Sequence, residues 1–238
     1  GQNVPTNWDN LVKGQSGAGP ITRFDASKFK TQFACEVKGL DVESIFDRKE
    51  ARRYDRYIHF AVYSAEEAMR DADIDMSQED AFRCGVIYGS GMGGVHMLDE
   101  NISAFGAGDG TPRYSPFYIP MAITSMAAGM LAIRYGFRGV NYATTSACAS
   151  SSHAIANAYY QIRMGLADVM LSGGSEAAVE CSGIGGFNAL HALSTRNDAP
   201  QTASRPFSAS RDGFVLGEGA GTLVLEEYEH AKARGAHI

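Results

Sequence analysis

Cysteine is scarce in this sequence: Cys35, Cys84, Cys148 and Cys181 are the four among 238 residues. They form no CxxC pair and join no histidine at zinc-ligand spacing, which argues against a metal centre. A chain this long with so few cysteines is not a disulfide framework, and the reading is free thiols in a reducing cytoplasm. Long apolar runs are missing too. No stretch approaches the roughly 18 apolar residues of a membrane span, and the opening residues GQNVPTNWDN hold no apolar signal core. Positive charge is in deficit: 21 Lys and Arg against 27 Asp and Glu leave a net charge of −6. That argues against a general nucleic-acid binder, though not against a local basic patch.

What remains is an ordinary globular composition, 45% hydrophobic and 20% charged, enough for one large domain or two small ones. Its 27 glycines fall in clusters: GSGMGG, FGAGDG, SGGSE, CSGIGG and LGEGAG. Clustered glycine suggests tight backbone approaches around a site more than a flexible linker.

The spacing of apolar residues predicts the end of a helix at Trp8–Val12, closed by Gly14, and a helical region over 44–70 with a break. CGVIYGS reads as a buried strand, 95–105 as helix, GDGTPRYSPFYIP as irregular, and 124–135 as helix closed by Gly136. GVNYATTSA then reads as a strand and the Ala-rich segment from Ala147 as a helix closed by Gly165. DVMLSGGSE is strand, 185–193 helix, and GTLVLEEYEHAKARG a strand running into a short helix. Strand, helix, strand in this order predicts an α/β fold with a largely parallel sheet.

Cys148 falls at one of these strand-to-helix junctions, inside TTSACASSSHA. Free backbone N–H groups at a helix start stabilise a thiolate and can hold an oxyanion. The small neighbours Ala147, Ala149 and Ser150 leave room for a bulky substrate. Against this, a free cysteine usually packs as a small apolar residue. From the residues alone both readings stand. The six surrounding hydroxyls sit in no G-x-S-x-G elbow, so a serine hydrolase is poorly supported. His153 lies five residues on; helical rotation turns it to another face, so it reads as a structural, hydrogen-bonded histidine.

Two further patterns compete with bland explanations. GSGMGG, residues 89–94, satisfies G-x-G-x-x-G after a strand, but Asp109, at the right distance for the confirming acid, sits in a glycine-rich loop. A loop bordering a cavity is the better reading than a dinucleotide site. RKEARRYDR carries five basic residues, which alone read as a solvated helix face.

Taken together, TTSACASSSHA, GSGMGG, SPFYIP, DVMLSGGSEA and the block from ALSTRNDAP to KARGA resemble the β-ketoacyl-[acyl-carrier-protein] synthases, thiolase-fold condensing enzymes of fatty acid synthesis. The likeness runs over the whole chain and is strongest to the bacterial type II enzymes. It implies a thiolase-like layered α/β fold of which residues 1–238 cover mainly the N-terminal half. It implies that Cys148 takes an acyl group from acyl-carrier protein as a thioester, with its own N–H as half of the oxyanion hole. Malonyl-carrier protein then loses CO₂ and the carbanion attacks. Neither metal nor cofactor is called for. The resemblance puts Met92 and Phe187 at the acyl pocket, and Tyr118 there across a homodimer interface. It turns the basic segment into a docking face for an acidic carrier, led by Arg48, Lys49, Arg52 and Arg53.

Two family features are expected outside the chain: an opening strand, taken to belong at the centre of the sheet, and a second half with two histidines, a lysine and the other oxyanion donor. Other roles on this fold are a polyketide ketosynthase, a thiolase acting on coenzyme A esters, and a non-catalytic partner subunit. The basic patch argues against the thiolase and Cys148 against the inert partner.

Overall fold

The computed structural model describes residues 1–238. In chain order its elements are α1 (Val4–Val12), β1 (Gly19–Pro20), β2 (Phe33–Ala34), α2 (Arg48–Ala51), α3 (Arg56–Ala72), β3 (Cys84–Gly89), α4 (Val95–Ala107), α5 (Tyr118–Ala122), α6 (Met126–Tyr135), β4 (Asn141–Thr144), α7 (Ser150–Arg163), β5 (Val169–Glu176), α8 (Cys181–Ala189), β6 (Gly219–Glu226) and α9 (Tyr228–Ala233). They divide into two compact units. One gathers Gly1–Asp41, Val95–Tyr114 and Ala177–Gly219; the other gathers Val42–Gly94, Ser115–Glu176 and Ala220–Ile238.

The second unit carries a four-stranded sheet in the order β4-β3-β5-β6, with β3 parallel to both β4 and β5. Every residue of β3 is buried, as a strand covered on both faces requires. On one face, Ile87 and Met170 pack against Ala154 and Ala158 of α7. Alternation turns Tyr88 to the opposite face, where its hydroxyl lies 3.4 Å from that of Ser64 on α3. The sheet is thus sandwiched between helices. β3 and β5 pair directly, from Cys84 opposite Val169 to Gly89 opposite Gly174.

Helix α3 starts where Asp55, a buried carboxylate, accepts the Tyr57 N–H. It buries Tyr57, Ile58, Ala61, Val62 and Ala65 at helical spacing and stops at Asp73, whose φ is 50°. The predicted break before it is real. α2 is a single short stretch capped by Asp47, which accepts from Lys49 and Glu50 at 2.8 and 2.7 Å.

The other unit pairs β1 antiparallel with β2 and buries Ala34, Val179, Ile184, Leu193 and Leu216 together, with Phe24, Phe29 and Phe187 against them. Arg23 and Glu218 tie its ends at 3.0 Å.

Three boundaries differ from the sequence reading. SPFYIP is not irregular throughout, because Tyr118–Ala122 form α5. Helix α8 lies earlier than 185–193, and His191 beyond it takes a φ of 54° that no helix continues through. The Ala-rich helix begins at Ser150 and not at Ala147, because Ala147 sits at φ 51°, in the left-handed region.

Candidate active site

The late start of α7 shapes the site. Residues 145–149 form a turn between β4 and α7, and Cys148 lies in it immediately before the N-cap residue Ala149, exposed to solvent. Ser150 holds the turn from beneath. Its buried hydroxyl accepts the Ser146 N–H at 2.8 Å and donates to the Ala147 carbonyl at 2.7 Å. The Thr144 hydroxyl donates to the Ser150 carbonyl at 2.7 Å, locking the strand end to the helix start. A non-glycine residue in the left-handed region costs about 1 kcal/mol or more, and these bonds sustain it.

Small residues let the helix sit this low. A Cβ built on Gly89 would stand 2.5 Å from the Ser150 carbonyl carbon and 2.6 Å from the Ser151 nitrogen. On Gly174 it would run into the Ser151 side chain. The ends of β3 and β5 therefore receive the start of α7 directly, which only glycine permits.

His153 meets its expectation as a hydrogen-bonded structural group: Nδ1 lies 2.8 Å from Ser146 Oγ. Of the six hydroxyls that competed with the thiol, four are engaged: Thr144, Ser146 and Ser150 as above, and Thr145 with Thr124 at 3.2 Å.

The GSGMGG loop lies beside this turn and is organised by a residue the sequence reading did not single out. Glu176, at the end of β5, accepts the Gly91 N–H at 2.7 Å and the Met92 N–H at 3.2 Å on Oε2. The Ser90 hydroxyl donates to Oε1 at 3.3 Å and in turn accepts the Gly93 N–H at 3.0 Å. Burial pushes the Glu176 carboxyl above the ordinary range, and the N–H donors only partly offset it. A nucleotide phosphate would need these loop N–H groups; a carboxylate of the chain itself already holds them. The signal was a lone acid ending a buried strand of small residues, SGGSE, and such a group always needs partners.

Of the other predicted residues, Met92 is partly exposed at the tip of this loop. Tyr118 opens α5, and the Gly94 N–H donates to the Ala122 carbonyl at that helix's end, 3.2 Å away. Met92 and Tyr118 thus stand on neighbouring elements of the unit that carries Cys148. Phe187 belongs to the other unit, packed edge-to-face on Phe214 at 5.3 Å. Arg48, Lys49 and Arg52 are exposed around α2, while Arg53 is half-buried with its guanidinium 5.2 Å from the centre of the Phe117 ring.

The model of the beta-ketoacyl synthase N-terminal domain matches residues 1–231. The chain belongs to the β-ketoacyl synthase family. Among curated relatives, 3-oxoacyl-[acyl-carrier-protein] synthase 2 of Vibrio cholerae is 46% identical over all 238 residues, and that of Staphylococcus aureus 44%. The chain spans 57% and 59% of their lengths. A β-ketoacyl synthase of Burkholderia phymatum superposes with a TM-score of 0.87 at 35% identity, over 97% of this chain and 58% of that one. A ketosynthase solved with the acyl-carrier protein of a type II polyketide system gives 0.84 at 34% identity, over 99% of this chain and 57% of that one. The layered α/β fold of the ketosynthases is thereby the fold of this chain.

Proposed function

We propose that this chain carries the acyl-accepting half of a condensing enzyme of fatty acid elongation, with Cys148 as the acceptor. One observation carries the reading: an exposed thiol on a hydrogen-bonded turn, lifted by the left-handed Ala147 at the junction of β4 and α7. Cys148 Sγ attacks the carbonyl carbon of an acyl-carrier thioester, the carrier's thiol leaves, and the acyl group stays on Cys148. Malonyl-carrier protein then loses CO₂, its carbanion attacks the acyl carbonyl, and Cys148 leaves as thiolate. The product is a 3-oxoacyl-carrier protein two carbons longer. The Cys148 N–H serves as one oxyanion donor. The two histidines and the lysine of the condensation step are assigned to a second half beyond residue 238.

The partner is an acidic acyl-carrier protein, received on Arg48, Lys49, Arg52 and Arg53. The relatives' printed name and the carrier complex of the polyketide ketosynthase support this. The acyl chain runs past Met92 and past Tyr118, the latter from the partner of a homodimer. We place the enzyme in the cytoplasm, which accords with four free cysteines and with no helix long and apolar enough to cross a membrane.

The test is incubation of the full-length protein with acyl-carrier protein and mapping of the adduct by mass spectrometry. An acyl mass on Cys148, lost in Cys148→Ala, is expected. No adduct on the wild type overturns the proposal. The likeness to the ketosynthase of a type II polyketide system, 34% identical, favours a second reading in which the accepted chain is a polyketone. Offering saturated and polyketone acyl groups in competition separates the two.

A further inference from the structure

We propose that Glu176 is a positioning residue for acyl-chain selection, acting through the GSGMGG loop and not by touching the thiol. The inference rests on Cys148 being an acyl acceptor.

The loop over residues 90–94 is wedged between two fixed bodies. On one side Gly91 faces the turn that bears the thiol: a Cβ there would stand 2.9 Å from Glu176 Oε2 and 3.6 Å from the Ala147 carbonyl oxygen. On the other side the loop presses on α5. A Cβ on Gly93 would come within 2.6 Å of the Ala122 carbonyl oxygen, and one on Gly94 would collide with that of Met121. Helix α5 opens with Tyr118. One loop thus spans from the Cys148 turn to the helix of Tyr118, with the Met92 side chain at its tip.

Glycines let the loop fit this slot but do not choose its conformation. Gly93, at φ 68°, is one of several backbone states open to such a sequence. The choice falls to Glu176 and Ser90, which collect the N–H groups of Gly91, Met92 and Gly93 on one carboxylate and one hydroxyl. Charge-assisted bonds to backbone N–H groups are roughly twice as strong as neutral ones. The carboxylate is anchored on β5, inside the sheet, so the loop inherits the sheet's rigidity. On the proposed path past Met92, a short acyl group on Cys148 ends before the loop and a long one passes it. Loss of Glu176 therefore acts on long chains more than on short ones.

The experiment measures Cys148 acylation rates for a short and a long acyl-carrier thioester in the full-length wild type, Glu176→Ala and Glu176→Gln. Alanine removes both acceptor oxygens. Glutamine keeps one for the Gly91 and Met92 N–H groups and turns its NH₂ toward the Ser90 hydroxyl. The expected result is a long-to-short rate ratio at least about tenfold lower in E176A, recovering to within about threefold in E176Q, the scale set by misplacement of a positioning group. A ratio unchanged in E176A, or an equal loss for both chains, overturns the proposal and leaves Cys148 as the acceptor. A wild type that takes neither acyl group fails the functional reading itself and this inference with it. Should E176A not fold, Ser90→Ala decides the matter, since it removes one of the loop's two anchors without emptying the carboxylate site. A shifted ratio there supports the proposal and an unshifted one overturns it.

Discussion

His230 Nδ1 lies 2.6 Å from Glu226 Oε1, while its Nε2 lies 3.0 Å from Glu79 Oε2. Arg234 adds a second cation to Glu226 at 2.7 Å, and Asp168, paired with Arg83, stands close enough to act on the imidazole. This cluster gathers beside the starts of β3 and β5, whereas Cys148 follows the end of β4, which runs parallel to β3. Its protonation therefore bears on stability and not on the thiol.

The hydrogen bond that the His230 imidazole donates to Glu226 holds its pKa above the ordinary range, against a smaller effect of burial. A histidine raised on folding stabilises fully below its unfolded value, near 6.5, and the contribution fades as pH rises through the higher folded value. Urea unfolding should show wild type above His230→Gln by about 1 kcal/mol at pH 6, a charge-assisted bond reduced by solvent screening. The gap should close by pH 9. A gap that widens with pH would contradict this assignment.

Gly89→Ala drives a methyl group into the backbone of Ser150 and Ser151. Backbone cannot swing aside as a side-chain tip does, so α7 must lift. Overpacking of this kind costs about 3 kcal/mol at its upper range. We expect a lower unfolding midpoint, together with a Cys148 acylation rate reduced by about 10- to 100-fold as the turn moves with the helix. The control is Gly129→Ala in α6, where an added Cβ meets nothing within 4 Å and the helix should gain stability.

Ser150→Ala tests the support beneath the thiol. The hydroxyl is buried and makes two bonds, so its removal leaves the Ser146 N–H without its acceptor. An unmet buried donor costs about 1–3 kcal/mol. The turn would relax the left-handed Ala147, and acylation of Cys148 should slow at saturating carrier while the KM for the carrier stays put. A change confined to KM would place the hydroxyl's role elsewhere.

These residues mark how much was legible beforehand. β3 and β5 announced themselves as apolar runs ended by glycine, and Gly136 and Gly165 closed α6 and α7 where periodicity placed them. Cys148 was legible as a junction residue. The turn around it was not, because a non-glycine residue at positive φ leaves no mark in composition; Ala147 reads as a helix former and pulled the expected helix three residues too early. Glu176 was hidden for another reason. Its partners, Ser90 to Met92, lie some 85 residues away in sequence, and only the pairing of β3 with β5 brings them together.

The basic segment allows the sharpest separation of roles. Arg48, Lys49 and Arg52 are exposed on and beside α2, where the proposed docking of an acidic carrier would place it. Arg53 is half-buried, with its guanidinium over Phe117, one residue before Tyr118. Exposed charges at a docking face act through long-range attraction, which salt screens over about 10 Å at 0.1 M. Charge reversal at Arg48, Lys49 or Arg52 should therefore raise the KM for acyl-carrier protein several-fold, leave kcat unchanged, and lose its effect at high salt. A small acyl thioester without a carrier should react equally well with wild type and these variants. Arg53→Ala should differ: losing a cation–π contact costs about 0.5–1 kcal/mol of stability, and the acylation rate should fall with carrier-bound and carrier-free substrates alike, because the segment leading to Tyr118 loosens. If Arg53→Ala instead behaves like the other three, with a salt-dependent KM effect alone, its guanidinium leaves Phe117 to bind the carrier.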